Sequence, residues 1–65
     1  MTELFVTDSR KTLLVEMVKI KHPSDDDLRE VMTVLYKDKE YELTYDLFRQ
    51  DYYGEVAGSY GSVVA

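Results

Sequence analysis

From Val31 to Leu47 the chain reads VMTVLYKDKEYELTYDL, with apolar and polar residues alternating on both sides of a short charged stretch. Successive side chains of a strand point to opposite faces, so this alternation predicts two strands. A two-residue turn at Asp38-Lys39 sets Tyr36 opposite Tyr41, Val34 opposite Leu43 and Met32 opposite Tyr45. Those residues line one apolar face. Lys37 with Glu40 and Thr33 with Thr44 line a polar one, on which Leu35 is the exception. Cross-strand pairs of this kind are the unit of sheet stability.

A helix competes for the first half of this segment. Pro23-Ser24 followed by Asp25, Asp26 and Asp27 resembles a capped helix start with acids in its first turn. Leu28, Val31, Met32, Leu35 and Tyr36 then fall at helical spacing. One helical turn over 24–29, followed by a strand, satisfies both signals.

Upstream, ELFVT and TLLVEMVKIK are rich in branched residues and flank the polar stretch Asp8-Ser9-Arg10-Lys11, which predicts a second hairpin. Its longer arm is apolar on both faces, with Leu13, Val15 and Met17 on one and Leu14, Val18 and Ile20 on the other. A strand of that kind is covered on both sides, inside a curled barrel or at a subunit contact. Beyond Leu47 the alternation weakens, and YDLFRQDYY fits either a helical turn or a continuing strand.

The pattern therefore predicts a mainly β fold: a small antiparallel four-stranded sheet or SH3-like barrel with one short helix. An α+β arrangement of ββαβ order is the alternative. Residues 1–53 read as a single small globular domain and 54–65 as a Gly/Ser/Val tail, flexible or added as a strand. That tail nearly repeats itself, Tyr53-Gly54-Glu55-Val56-Ala57 returning as Tyr60-Gly61-Ser62-Val63-Val64.

Size limits what such a fold can do. A 65-residue chain without cysteine has neither disulfides nor a thiolate metal site to brace a small core. No segment approaches the roughly 20 apolar residues of a membrane span, so a cytoplasmic location without membrane attachment is expected.

Charge narrows the partners. Residues 1–22 carry Arg10, Lys11, Lys19 and Lys21 against Glu3, Asp8 and Glu16, a balance of +1. Residues 23–65 carry Arg29, Lys37, Lys39 and Arg49 against ten carboxylates, a balance of −6. A surface so acidic repels a phosphate backbone, which excludes nucleic acid, and favours another protein with a basic surface.

Candidate chemistry is sparse. His22 is the only imidazole and sits beside Pro23 at a strand end, where a solvated loop histidine is the usual case. Asp25-Asp26-Asp27 lacks the alternating ligands and the glycine of a calcium loop and suits the positive end of a helix instead. No catalytic residue, metal or cofactor is expected. The six tyrosines all fall between Tyr36 and Tyr60. Tyr36, Tyr41 and Tyr45 are expected in the core, and Tyr52, Tyr53 and Tyr60 at a surface.

The functional expectation is a small acidic, non-enzymatic interaction module, an adaptor or inhibitor that docks through a strand edge and a Tyr/carboxylate surface. Glu40, Glu42, Asp46 and Asp51 would steer the partner, and Tyr52, Tyr53 and Tyr60 would anchor it. The two-faced second strand adds a homo-oligomer to the partners considered. One alternative is a precursor peptide with a folded leader, 1–52, and an enzymatically modified core, 53–65. Another is an acidic mimic of nucleic acid.

Overall fold

A computed structural model of the chain describes residues 2–26 and 29–64. They form six antiparallel strands: β1 (Thr2–Val6), β2 (Lys11–Lys21), β3 (Val31–Tyr36), β4 (Lys39–Asp46), β5 (Asp51–Val56) and β6 (Ser59–Val64). Each strand pairs with the next, and β6 returns to β1, so the sheet closes into a barrel. The mainly β reading holds. The four-stranded sheet and the short helix do not: there are six strands, and no helix occurs among the described residues.

The helix signal at Ser24 fails for a physical reason. Pro23 to Asp26 form only a bend and a turn, while Asp27 and Leu28 lie outside the described residues. A single helical turn has little stability of its own. From Val31 on, β3 is claimed by two neighbours, with Met32 opposite both Ile20 and Leu43. Two ladders outweigh a few helical spacings.

The β3–β4 hairpin turns one residue earlier than the sequence suggests. Tyr36 pairs with Lys39, Val34 with Tyr41 and Met32 with Leu43, leaving Lys37-Asp38 as the turn, both at positive φ (49° and 65°). A tight hairpin turn of this type needs positive φ at both central residues, and Asp tolerates it. The pairing slips by two positions, an even number, so every side chain keeps its expected face. Val34 and Leu43 are fully buried, with Tyr36, Tyr41 and Tyr45 packed partly buried against them.

Residues 54–64, read from the sequence as a tail, flexible or added as a strand, are the end of β5, the turn after it and all of β6. The repeat is a hairpin folded on itself: Gly54 pairs with Gly61 across a turn at Ala57-Gly58, both at positive φ. Both glycines face inward where the barrel is tightest. A β-carbon on Gly54 would stand 2.9 Å from the Glu42 carbonyl oxygen and 2.9 Å from a Leu43 methyl. One on Gly61 would run into the Leu4 side chain and stand 2.9 Å from the Phe5 carbonyl oxygen. Alternation was unreadable here because the inward positions are glycines.

The strands are strongly tilted. One in-register path runs from Thr12 through Phe5, Ser62, Tyr53, Thr44 and Val31 to Lys21. It starts and ends on β2, advancing nine residues from 12 to 21. Closing a barrel demands such a stagger. The 11 residues of β2 supply it: Lys11–Val15 pair with β1 and Glu16–Lys21 with β3, a bulge between Met17 and Lys19 bending the strand. The core inside is Leu4, Val6, Val15, Met32, Val34, Leu43, Tyr52, Val56 and Val63.

Candidate functional site

Alternation along β5 separates two adjacent tyrosines. Tyr52 pairs with Tyr45 and Val63 on the inward face, and Tyr53 pairs with Thr44 and Ser62 on the outward one. Tyr52 is therefore a core residue, only 5% exposed, and not the surface anchor expected from the sequence. Its ring meets Tyr45 edge-on at 5.0 Å, and its hydroxyl donates to Glu30 Oε2 at 2.6 Å. That hydrogen bond, then burial and the negative charge of Glu30, push the Tyr52 hydroxyl up to about 12.

Tyr53 is the centre of an external aromatic column. The Arg49 guanidinium carbon lies 4.2 Å from its ring centroid, and Tyr60 stacks on it at 5.8 Å with 9° between the planes. Tyr60 sits one diagonal step away because it pairs with Glu55, next to the Tyr53–Ser62 pair.

Arg49 is positioned by the turn that joins β4 to β5. Asp46 Oδ1 accepts from the backbone N–H groups of Phe48 (2.9 Å) and Arg49 (3.2 Å). Gln50 N donates to the Asp46 carbonyl at 2.7 Å, and Gln50 closes the turn at φ 58°. This is the capping habit of an aspartate at the start of a turn. Arg49 Nε also approaches Asp46 Oδ2 at 3.8 Å. The turn leaves Leu47 81% and Phe48 100% exposed. A shallow groove of about 360 Å³ lies between them and the sheet, lined by Thr44, Tyr45, Asp46, Leu47, Phe48 and Tyr53.

The acids divide into two groups. Asp46 and Asp51 stand directly opposite each other at the base of the hairpin, and Asp51 Oδ1 is buried without a hydrogen-bond partner. Glu55, opposite Tyr60, joins them on the outer face. Glu42 shares the outer face of β4 with Thr44 and Asp46, but its carboxylate is engaged by Lys21 Nζ at 3.3 Å across β3. Glu40 lies further along β4, opposite Leu35. The fold thus gathers Asp46, Asp51, Tyr53 and Tyr60 around the column, leaves Glu40 and Glu42 further along the outer face of β4, and takes Tyr52 inside.

Sequence reasoning missed Leu47, Phe48, Arg49 and Glu55. Two bulky apolar residues between an aspartate and an arginine were a usable signal, since such residues in a turn have nowhere to bury themselves. Elsewhere, His22 Nδ1 lies 3.0 Å from the Arg29 carbonyl oxygen, within hydrogen-bond distance. Among the described residues no group of three or more His, Cys, Asp or Glu is arranged to hold a metal. The described residues contain no helix long and apolar enough to cross a membrane. A scan against family models gives no match, and comparisons with curated proteins and with solved structures give none either.

Proposed function

We propose that this barrel is a non-enzymatic interaction module that docks a protein partner on the outer face of β4, β5 and β6. The observation that carries the reading is the fully exposed Phe48 beside the Arg49–Tyr53–Tyr60 column. Burying a phenylalanine stabilises by about 1.5–3 kcal/mol, so a partner that covers Phe48 recovers what the monomer leaves unused. Tyrosine and arginine are the residue types that most often dominate interface energetics.

Asp46, Asp51 and Glu55 around the column favour a partner with a basic surface. Asp46 and Asp51 repel each other across the ladder, and a partner's ammonium or guanidinium group between them relieves that repulsion. The precursor alternative finds less support, because Val56 and Val63 of the would-be modified core are buried staves of the barrel.

The test is affinity capture from native lysate with the wild-type chain, Phe48→Ser and Tyr53→Ala. Wild type should retain a basic protein, and both variants should lose it while keeping the β-sheet circular dichroism of the parent. Raising salt to about 1 M, where the screening length is near 3 Å, should weaken capture as well. A partner set indifferent to both substitutions and to salt would sink the proposal.

A further inference from the structure

On the wall opposite this face, β2 carries a further group of exposed apolar side chains, Leu14, Met17, Val18 and Ile20. Its pairing with β1 ends where Thr2 meets Val15, so from Glu16 to Lys21 the β1-side edge has no ladder among the described residues. The consequence is visible in the side chains. Met17 and Ile20 stand in register with the buried Val34 and Met32, on the inward side, yet remain 44% and 46% exposed. A strand laid along that edge would cover them.

The bulge decides which strand fits. By inserting Val18, it puts Met17 and Ile20 on one face, whereas three positions apart in a regular strand they would point opposite ways. For the same reason Glu16 and Lys21 share the outer face, opposite Leu35 and Val31. The segment is therefore symmetric about its own middle. Turned over and laid antiparallel on itself, it sets Glu16 against the second copy's Lys21 and Met17 against the second copy's Ile20. A two-fold axis repeats both contacts.

We infer that the free edge of β2, Glu16–Lys21, docks a second copy of this chain. The two copies pair antiparallel about a two-fold axis between Val18 and Lys19 and join the barrels into one continuous sheet. This is an isologous interface built by strand addition. Lysines and bulges ordinarily guard an edge against chance pairing. Here the guard has a complement: Lys19 meets its own copy near the axis, but Glu16 of the second copy lies diagonally beside it. That like-charge contact makes the dimer weak and concentration-dependent. In the ring of six strands β2 lies three strands from β5 in either direction, so both Tyr53 faces stay free.

Sedimentation of the full chain over a dilution series tests this, with circular dichroism confirming that each variant is folded. Wild type should pass from dimer to monomer on dilution. Glu16→Lys, which sets lysine against Lys21, should raise the dissociation constant about tenfold or more, and the swap Glu16→Lys with Lys21→Glu should bring it back. Ile20→Lys should leave only monomer. A wild-type chain that is monomeric at every concentration overturns the inference. So does a dimer unmoved by Glu16→Lys and Ile20→Lys, a swap that fails to restore it, or a dimer lost instead in Phe48→Ser.

Discussion

β2 and β5 are opposite walls of the barrel, and each carries bulky side chains on both of its faces. On β2 they are aliphatic. On β5 they are two tyrosines, one inside and one out. Their exposures have different origins. Met17 and Ile20 lie on β2 beyond the Thr2–Val15 pair, where none of the described residues of β1 pairs with that edge. Tyr53 is outward by alternation, then held in place by Arg49 and Tyr60, with Asp46 shaping the turn that delivers Arg49. An edge left over by topology offers backbone and apolar area, which suits a copy of itself. A built aromatic column ringed by acids offers orientation and charge, which suits a chosen partner.

The largest break in this comparison comes from β6, which holds the β5 wall to β1. Gly61→Val should destabilise by about 3 kcal/mol, because its β-carbon meets Leu4 and a backbone carbonyl that cannot yield. Urea unfolding measures it; a loss below about 1 kcal/mol would mean that the barrel is looser there than the Gly54–Gly61 pair implies.

Next come neighbours on β2. Val15→Ala should cost about 2 kcal/mol, whereas Leu14→Ala, one residue away on the outer face, should stay within about 0.5 kcal/mol. Similar losses at both positions would show that the outer face of β2 is already covered in the free protein.

Tyr52→Phe should cost about 1–2 kcal/mol by removing the hydrogen bond to the Glu30 carboxylate, while Tyr53→Phe should be nearly silent. The pH dependence follows from the same bond. With its proton held to about 12 in the folded chain, against 10 when free, Tyr52 contributes stability below pH 10 that is lost as pH rises towards 12. Unfolding midpoints across that window should fall less steeply in Tyr52→Phe than in wild type. The smallest effect is that of Phe48→Ser on stability, within about 0.5 kcal/mol, since its side chain is fully exposed.

How much of this was legible depends on which residues stood at the inward positions. Where they were Met32, Val34, Leu43 and Tyr45, the strands and their faces could be read directly, and even a misplaced turn did no harm. Where they were Gly54 and Gly61, alternation was lost, and the end of β5 with all of β6 read as a tail, flexible or added as a strand. At the candidate site, Tyr53, Tyr60, Asp46 and Asp51 could be named from their types. Tyr52 could not be told from Tyr53, because deciding between them needs the parity of β5 against β4.

By itself, then, the order of residues determined the strand character, the inward and outward sets of β3 and β4, and the excess of acid in the second half. Those are local properties, carried by alternation and composition. On β2, by contrast, the bulge moved Ile20 to the face of Met17, against the regular alternation. Closure of the ring, the burial of Tyr52, the stacking of Tyr53 between Arg49 and Tyr60, and the open edge of β2 were decided only in three dimensions. Each depends on which residues far apart in the chain become neighbours when six tilted strands must meet end to end.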